Sequence, residues 1–578
     1  MQENRNTLVA ITLSILVLIL WTVFYEKPKI EAYQRQQIAE QEQEVKLKKS
    51  QIKSSKGVIS NKKVTSISDK NQKFLSRDEA IGKNIKKRIT INNGHLKGSI
   101  ALRGARFDDL ELIGYKETLD KNSEDVKLLS PIDSLDHYFI DFHFLSSKYD
   151  LELPNSKTLW QSNSNSLTPE SPVTLSWTNN NNILFQIKIS IDQDYMFDIE
   201  KLVKNNSAKD ISIASFGRVS RNLKVEGMNN FILHEGPIAV SNKLLDEVPY
   251  SDLKDDGDHE FNSNSGWLGI TDKYWLTAMI PDYNLSFTGK FSYHKTAKKE
   301  IYNSEFITDE FEVISGDVIT FDHHFFAGAK VLSLLDSYKE EMGIDSFDKA
   351  VDFGWYYFLT KPFFFILTIF NDILKNYGLA ILAITLLVKL AMFPLAHKSF
   401  TAIGRMKKFQ PRIMEIREHN KDNKVETNRQ IMELYKREGV NPAAGCLPMI
   451  IQIPVFFSLY KVLFVTIDMR HAPFYGWIND LSVADPTSIF NLFGLLPFSV
   501  DGFFLQIGIW PILMGLTMVL QQKLSPAPGD PLQAKMMKFL PFILIFVFAT
   551  FPAGLLIYWT FSNVLSIMQQ YYITKKLN

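Results

Sequence analysis

The sequence predicts an α-helical polytopic membrane bundle of six spans, both termini inside, joined to a large antiparallel β-sandwich domain. Three observations carry this. Residues 350–573 are mostly apolar and break into runs of about the length that crosses a bilayer. Residues 88–335 instead show short alternating runs punctuated by Asn-Asn, Asn-Gly and Asp-Gly clusters. One dense basic block separates two of the apolar runs, and such blocks stay on the cytoplasmic side. A chain of 578 residues is long for one domain, and its net charge of +1 averages these unlike parts. With Cys446 as its single cysteine it has no intramolecular disulfide, even with much of the chain outside the cytoplasm.

Residues 1–25 read as an uncleaved signal-anchor span. An apolar run over 8–24 follows Arg5 and ends in Trp-Thr-Val-Phe-Tyr, without a small-x-small cleavage pattern. Residues 26–87 are rich in Gln, Lys, Ser and Glu and read as a tether without material for a core. Residues 88–340 form the β-sandwich, with alternation over 88–91, Ile183–Ile191 and 195–203. His323-His324 and His234-Glu235 have the residue types of metal ligands. Adjacent strand residues point to opposite faces, however, and no third ligand follows at a recognisable spacing, so no metal site is expected. No carboxylate pair or nucleophile motif marks this domain as an enzyme.

Residues 350–375 read as an interfacial amphipathic helix, centred on 363–374, because aromatic residues are interspersed with Lys361, Asp372 and Lys375. The second span is 376–396. Residues 397–441 hold eleven Lys or Arg against six Asp or Glu. Helical periodicity over 398–419 and 425–438, with Asn-Lys-Asp-Asn between, predicts a cytoplasmic basic helical hairpin. The third span, 443–467, contains Pro448, Gln452 and Pro454, and its Lys461 is expected to snorkel outward toward Asp468. Residues 468–502 form an external loop with Trp477 as an interface anchor, and 503–521 the fourth span. The loop 522–538 carries Lys523, Lys535 and Lys538 and returns to the cytoplasm. The remaining apolar stretch is broken by Phe-Pro-Ala-Gly at 551–554. This gives a fifth span, 539–551, a sixth, 555–573, and a tail, 574–578, whose Lys575 and Lys576 lie inside. A fifth span of about 13 residues, roughly 20 Å, implies a locally thinned bilayer.

Lys389 is the residue that apolar packing does not require. A charge at the centre of a span costs about 3 kcal/mol on insertion scales, and it snorkels or lines a polar cavity. Thr385 lies four residues before it, on the same helical face. Gln452, Gln506, Tyr558, Ser562 and Asn563 add polar groups to other spans, either as interhelical hydrogen-bonders or as the lining of a recess. Taken together they predict a polar recess, open to the cytoplasm and to lipid, with Lys389 at its base. Such a recess would attract an acidic, hydrophilic segment.

The run Ile-Thr-Leu-Leu-Val-Lys-Leu-Ala-Met-Phe-Pro-Leu at 384–395 resembles the second span of the YidC membrane protein insertases. Residues 435–456, with Asn-Pro, Gly-Cys, Pro and Gln-x-Pro-x-Phe, resemble that family's third span, and Phe-Pro-Ala-Gly-Leu-Leu-Ile-Tyr-Trp-Thr-Phe-Ser-Asn at 551–563 its last. Gly-Trp-Leu-Gly-Ile-Thr-Asp-Lys-Tyr-Trp at 266–275 and the order of parts extend the resemblance to the long form of bacteria with two membranes.

The resemblance implies an insertase and chaperone of the inner membrane, not an enzyme, with no nucleotide, metal or other cofactor. Its substrates would be nascent membrane proteins, delivered to the lipid bilayer alone or beside the Sec translocon. The β domain would be periplasmic and resemble a sugar-epimerase sandwich without its catalysis. The 397–441 hairpin would meet the ribosome or the signal recognition machinery, without sequence-specific nucleic-acid binding. Lys389 stands where the family places its groove cation, which is more often Arg. The ammonium keeps the charge and loses the planar fork. Thr385, Phe456, Tyr558 and Trp559 match positions facing the inserting segment, and Gln452 joins them in the groove. A secondary transporter or channel using Lys389 is the rival reading. The absence of an inverted repeat of broken spans, and the single deep charge, argue against it. A scaffold binding cell-wall components through its β domain is a third reading.

Overall fold

The structure, a computed structural model, describes residues 75–83, 87–120, 122–148, 151–223, 233–296, 299–354, 356–420, 423–439, 447–496, 507–524 and 531–577. The predicted first span and residues 26–74 of the tether lie outside this set, as does Gln506.

Residues 88–329 build two stacked sheets. In the nine-stranded sheet the spatial order is Leu244–Glu247, Gly236–Ser241, Gly266–Thr271, Trp275–Ile280, Val318–Ala329, Met196–Asn205, Ile183–Ile191, Val173–Thr178 and Gln161–Ser162. The eleven-stranded sheet centres on Phe287–Lys295, Glu300–Thr308, Ile211–Asn222, Tyr138–Leu145 and Arg106–Lys116, in that order. Among the described strands pairing is antiparallel except where Arg88–Asn92 meets Ser166–Leu167. The alternation read in the sequence places side chains as period two requires. Ile183, Phe185, Ile187, Ile189 and Ile191 are buried, and Gln186 and Lys188 face away. Phe107, Phe197 and Phe325 form the centre of the core, with Phe197 stacked on Phe325 at 4.3 Å.

His323 and His324 do diverge. His323 is buried, its Nδ1 accepting from the Asp282 N–H at 3.0 Å and its Nε2 2.6 Å from Ser215 Oγ. His324 pairs with Asp198 at 2.7 Å on the other face.

The tether reading needs correction at its end. Helix α1 (Arg77–Gly82) opens with a capping box of Ser76 and Glu79 and docks on the eleven-stranded sheet. Arg77 is buried, paired with Asp109 and, at 2.7 Å, with Glu111. The overall composition of 26–87 masked this local signal. Helices α2 (Tyr250–Asp255) and α3 (Leu332–Glu341) complete the domain.

The helical half comprises α4 (Tyr357–Leu374), α5 (Tyr377–Ala391), α6 (Phe393–Lys408), α7 (Gln410–His419), α8 (Lys424–Arg437), α9 (Leu447–Val465), α10 (Ile509–Leu524), α11 (Pro531–Phe548) and α12 (Ala553–Leu577). Helix α4 is long and apolar enough to cross a membrane. It starts at Tyr357 and runs through Pro362, well before the predicted 363. The predicted continuous run over 376–396 is broken. Helix α5 stops at Ala391, and α6 departs from it at 66°. Pro394 explains the bend, because it has no N–H and its ring collides with the carbonyl four residues back. Pro411 likewise ends the predicted 398–419 arm early, at the α6–α7 break. Asn423 caps α8, its side chain accepting from the Glu426 N–H. Helix α11 begins at Pro531, eight residues before the predicted 539, so helix extends into the stretch read as a loop, while its apolar part still starts after Lys538.

The β domain packs against one end of this bundle. Lys461, expected to turn toward Asp468, instead reaches Asp352 Oδ2 at 2.9 Å. Lys361 on α4 pairs with Asp336 at 2.6 Å and Asp348 at 2.8 Å. The Lys273 ammonium lies 3.9 Å from the Phe464 ring, and Arg470 lies over Trp275. The segment 468–496 joins several helices at this end. Asn376 Nδ2 donates to Pro473 O before α5, the Trp510 N–H to Asp485 Oδ2 in α10, and the Ala553 N–H to Val483 O in α12. The approach is close at Gly378, where an added Cβ would lie 1.9 Å from the Phe474 ring. Thus α5, α10 and α12 start at the domain end and α9 finishes there. At the opposite end, Ala396, Phe400, Ile403 and Met406 form one stripe of α6 that packs with Ile573 of α12.

Candidate functional site

Helix α5 carries Lys389 about 18 Å along its axis from Tyr377. Its side chain is half-buried and turns inward. Nζ donates to Ser566 Oγ of α12 at 2.8 Å and to Gln452 Oε1 of α9 at 3.4 Å. The neighbours fix the polarity of both contacts. Ser566 donates its only hydroxyl proton to Ser562 O at 2.9 Å, so it faces the ammonium as an acceptor. Gln452 donates from Nε2 to Tyr558 OH and thereby presents Oε1. Among the described residues no carboxylate pairs with Lys389. The charge is solvated by neutral dipoles and left uncompensated.

Next to this polar group lies an aromatic wedge. Phe456 of α9 meets Trp559 of α12 edge-on at 4.8 Å, and Trp559 meets Phe548 of α11 at 4.7 Å. Tyr558 is buried beside Phe456. Outward of the wedge, Ile450, Ile453 and Phe457 on α9 and Phe542, Ile543 and Phe546 on α11 are exposed apolar side chains. A surface of this kind suits lipid.

Of the six residues that the resemblance assigns to the groove, five therefore lie together: Lys389, Gln452, Phe456, Tyr558 and Trp559. Thr385 is on the same helix one turn away, but it is buried and its hydroxyl donates to Ile381 O at 2.5 Å. Asn563 serves as an interhelical hydrogen-bonder, donating to Thr517 Oγ1 at 3.0 Å. Ser566 was not singled out. Tyr558, Ser562, Ser566 and Gln570 recur every four residues along α12, and that spacing is the signal that marks one polar face.

A β-rich domain seated on one end of an apolar helical bundle, with the Lys389 ammonium turned into that bundle, defines a two-part chain whose polar chemistry in the apolar half gathers at one place. Comparison with known proteins gives the family. Residues 88–366 match the YidC periplasmic domain, and 369–578 match the family described as 60Kd inner membrane protein. The membrane protein insertase YidC of Rickettsia africae (strain ESF-5) is 46% identical over 572 residues, covering 99% of both chains. That of Rickettsia bellii (strain OSU 85-389) is 44% identical over 571 residues, covering 99% of this chain and 98% of the relative. A crystal structure described as an active YidC insertase with its first transmembrane domain resolved aligns over 84% of this chain and 92% of that one, at 16% identity and a TM-score of 0.35. The chain belongs to the YidC family of membrane protein insertases. Its β-rich domain is periplasmic and its helical half belongs to the inner membrane.

Proposed function

We propose that this protein inserts nascent membrane proteins by drawing their hydrophilic segments into the recess around Lys389 and releasing their helices into lipid between α9 and α11. The observation that carries the reading is the half-buried ammonium held by two neutral acceptors. A carboxylate crossing hydrocarbon costs about 3 kcal/mol. Lys389 offsets part of that cost and does so transiently, because a single ammonium forms no bidentate clamp. Partitioning of the client's apolar side chains, about 0.3 to 0.6 kcal/mol for each Leu, Ile or Phe, supplies the direction.

The bend after Ala391 supports an opening toward the cytoplasm, since α6 turns 66° off the axis of α5 within a turn of Lys389 and continues along α12 instead of extending the α5 wall. The alternation of helix ends at the periplasmic domain supports a six-span chain with both termini inside, the first span being 1–25. Helix α4 lies in the interface, tied to the domain by Lys361. The 397–441 hairpin receives the ribosome or signal recognition machinery, and the insertase acts alone or beside the Sec translocon.

Photo-cross-linking from positions 456 and 559 to an arrested nascent chain tests the route. Strong adducts there, and weak ones from exposed Ile373 on α4, are expected. Equal adducts at all three positions would rule out this path. Thr385→Val should leave insertion within about twofold, because the hydroxyl serves its own helix and not the recess. A larger loss, scored by protease protection of the client, would put the hydroxyl in the groove.

A further inference from the structure

We infer that Ser566 is the positioning residue of the groove cation, turning the Lys389 ammonium toward α12 and leaving one N–H for the client. This rests on the proposed role of Lys389. An ammonium has three donors in a flexible array and no preferred plane. Without fixed acceptors it would swing on its four-carbon stem, toward the exposed faces of Leu386, Leu387 and Leu390 or toward the bend. Two acceptors on two different helices prevent this. Ser566 is the closer at 2.8 Å, and Gln452 is at 3.4 Å.

Ser566 suits the task because its hydroxyl proton is already committed to Ser562 O, one turn back. It is therefore a one-way acceptor in a buried place. It cannot compete with a client carboxylate by donating to it, and it carries no charge that would neutralise the lysine. With two donors engaged, the third serves one carboxylate oxygen at a time. Aspartate and glutamate in a client are then equivalent, and the contact is single and quickly broken.

The test uses the full chain in cells depleted of their own insertase. Two clients are compared, identical except that one translocated tail is acidic and the other is uncharged. Ser566→Ala is expected to lower the ratio of acidic-tail to neutral-tail insertion about tenfold, the loss of one hydrogen bond to a charged group. Ser566→Thr, which keeps the hydroxyl, restores the ratio. In a Lys389→Ala background Ser566→Ala should change the ratio no further. Equal losses for both clients at unchanged membrane levels would make Ser566 a packing residue and overturn the inference. A normal ratio in Ser566→Ala, with the acidic client blocked in Lys389→Ala, would sink the positioning role alone. Normal insertion of the acidic client by Lys389→Ala would sink the groove reading and this inference together.

Discussion

Replacing Lys389 by alanine is expected to cut insertion of an acidic-tailed client roughly 30- to 150-fold, the equivalent of a charge-assisted hydrogen bond worth about 2 to 3 kcal/mol. Glutamate at the same place should do worse. It repels the client's carboxylates and leaves the acceptors Ser566 Oγ and Gln452 Oε1 facing a negative group. Arginine should restore function, because its fork can meet both acceptors and still present donors to the recess. Complementation of an insertase-depleted cell, scored by protease protection of the client, measures all three variants. The order matters more than any single value. A pattern in which arginine inserts, and alanine and glutamate do not, assigns the function to charge at this depth. Equal insertion by all three would mean that Lys389 merely fills space in a bundle whose amphiphilic surface does the work.

How much of this was legible depends on the kind of signal. Period two in 183–191 fixed which side chains enter the core, but strand order across the two sheets rests on contacts far apart in sequence. Lys389, Gln452 and Tyr558 stood out as polar residues in apolar runs, where their presence needs a reason. Ser566 did not stand out, because a serine in a span is ordinary and only its four-residue recurrence gives it a face. The bend at Met392 was available from Pro394, yet the apolar run carries past it to Leu395 and conceals the break. Lys461 was assigned to Asp468 by sequence distance. Its ion-pair partner, Asp352, lies 109 residues earlier, between the β domain and α4, and no local pattern reports it. The same averaging hid the capping box at Ser76 inside a tract that reads as a tether.

The periplasmic domain offers the second large effect. Asp141 is fully buried, with Arg218 on it at 2.8 and 3.1 Å, His143 at 3.1 Å and Arg106 at 3.8 Å. Register explains the cluster. Asp141 stands opposite Arg218 on one neighbouring strand and Arg106 on the other, and Arg218 stands opposite Glu305. Charge alternates across four strands, and both guanidiniums sit over the Phe139 ring, at 4.7 and 5.5 Å. Asp141→Asn keeps the shape and removes the charge, taking from buried Arg106 and half-buried Arg218 the carboxylate they share. The expected cost is about 3 to 5 kcal/mol, against a usual domain stability of about 5 to 15 kcal/mol. For a domain of this size that lowers the melting temperature by roughly 6 to 20 °C. Burial alone would push the Asp141 carboxyl up. Arg218, His143 and Arg106 overcome it and hold the carboxyl well below the usual carboxylate range. A depressed carboxyl gives stability that is complete above its unfolded value, about pH 4, and is lost as pH falls below that. The wild-type domain should therefore melt progressively earlier below pH 4, and Asp141→Asn should lose that part of the slope. Circular dichroism of the full chain in detergent at several pH values reads both. A variant that melts within a degree of wild type, with the same acid slope, would mean that the ladder contributes geometry and no net stability. Replacing Asp141 and Arg218 together by leucine and methionine separates these cases. Recovery of most of the loss would assign the cost of the single variant to stranded charge and not to a missing bond.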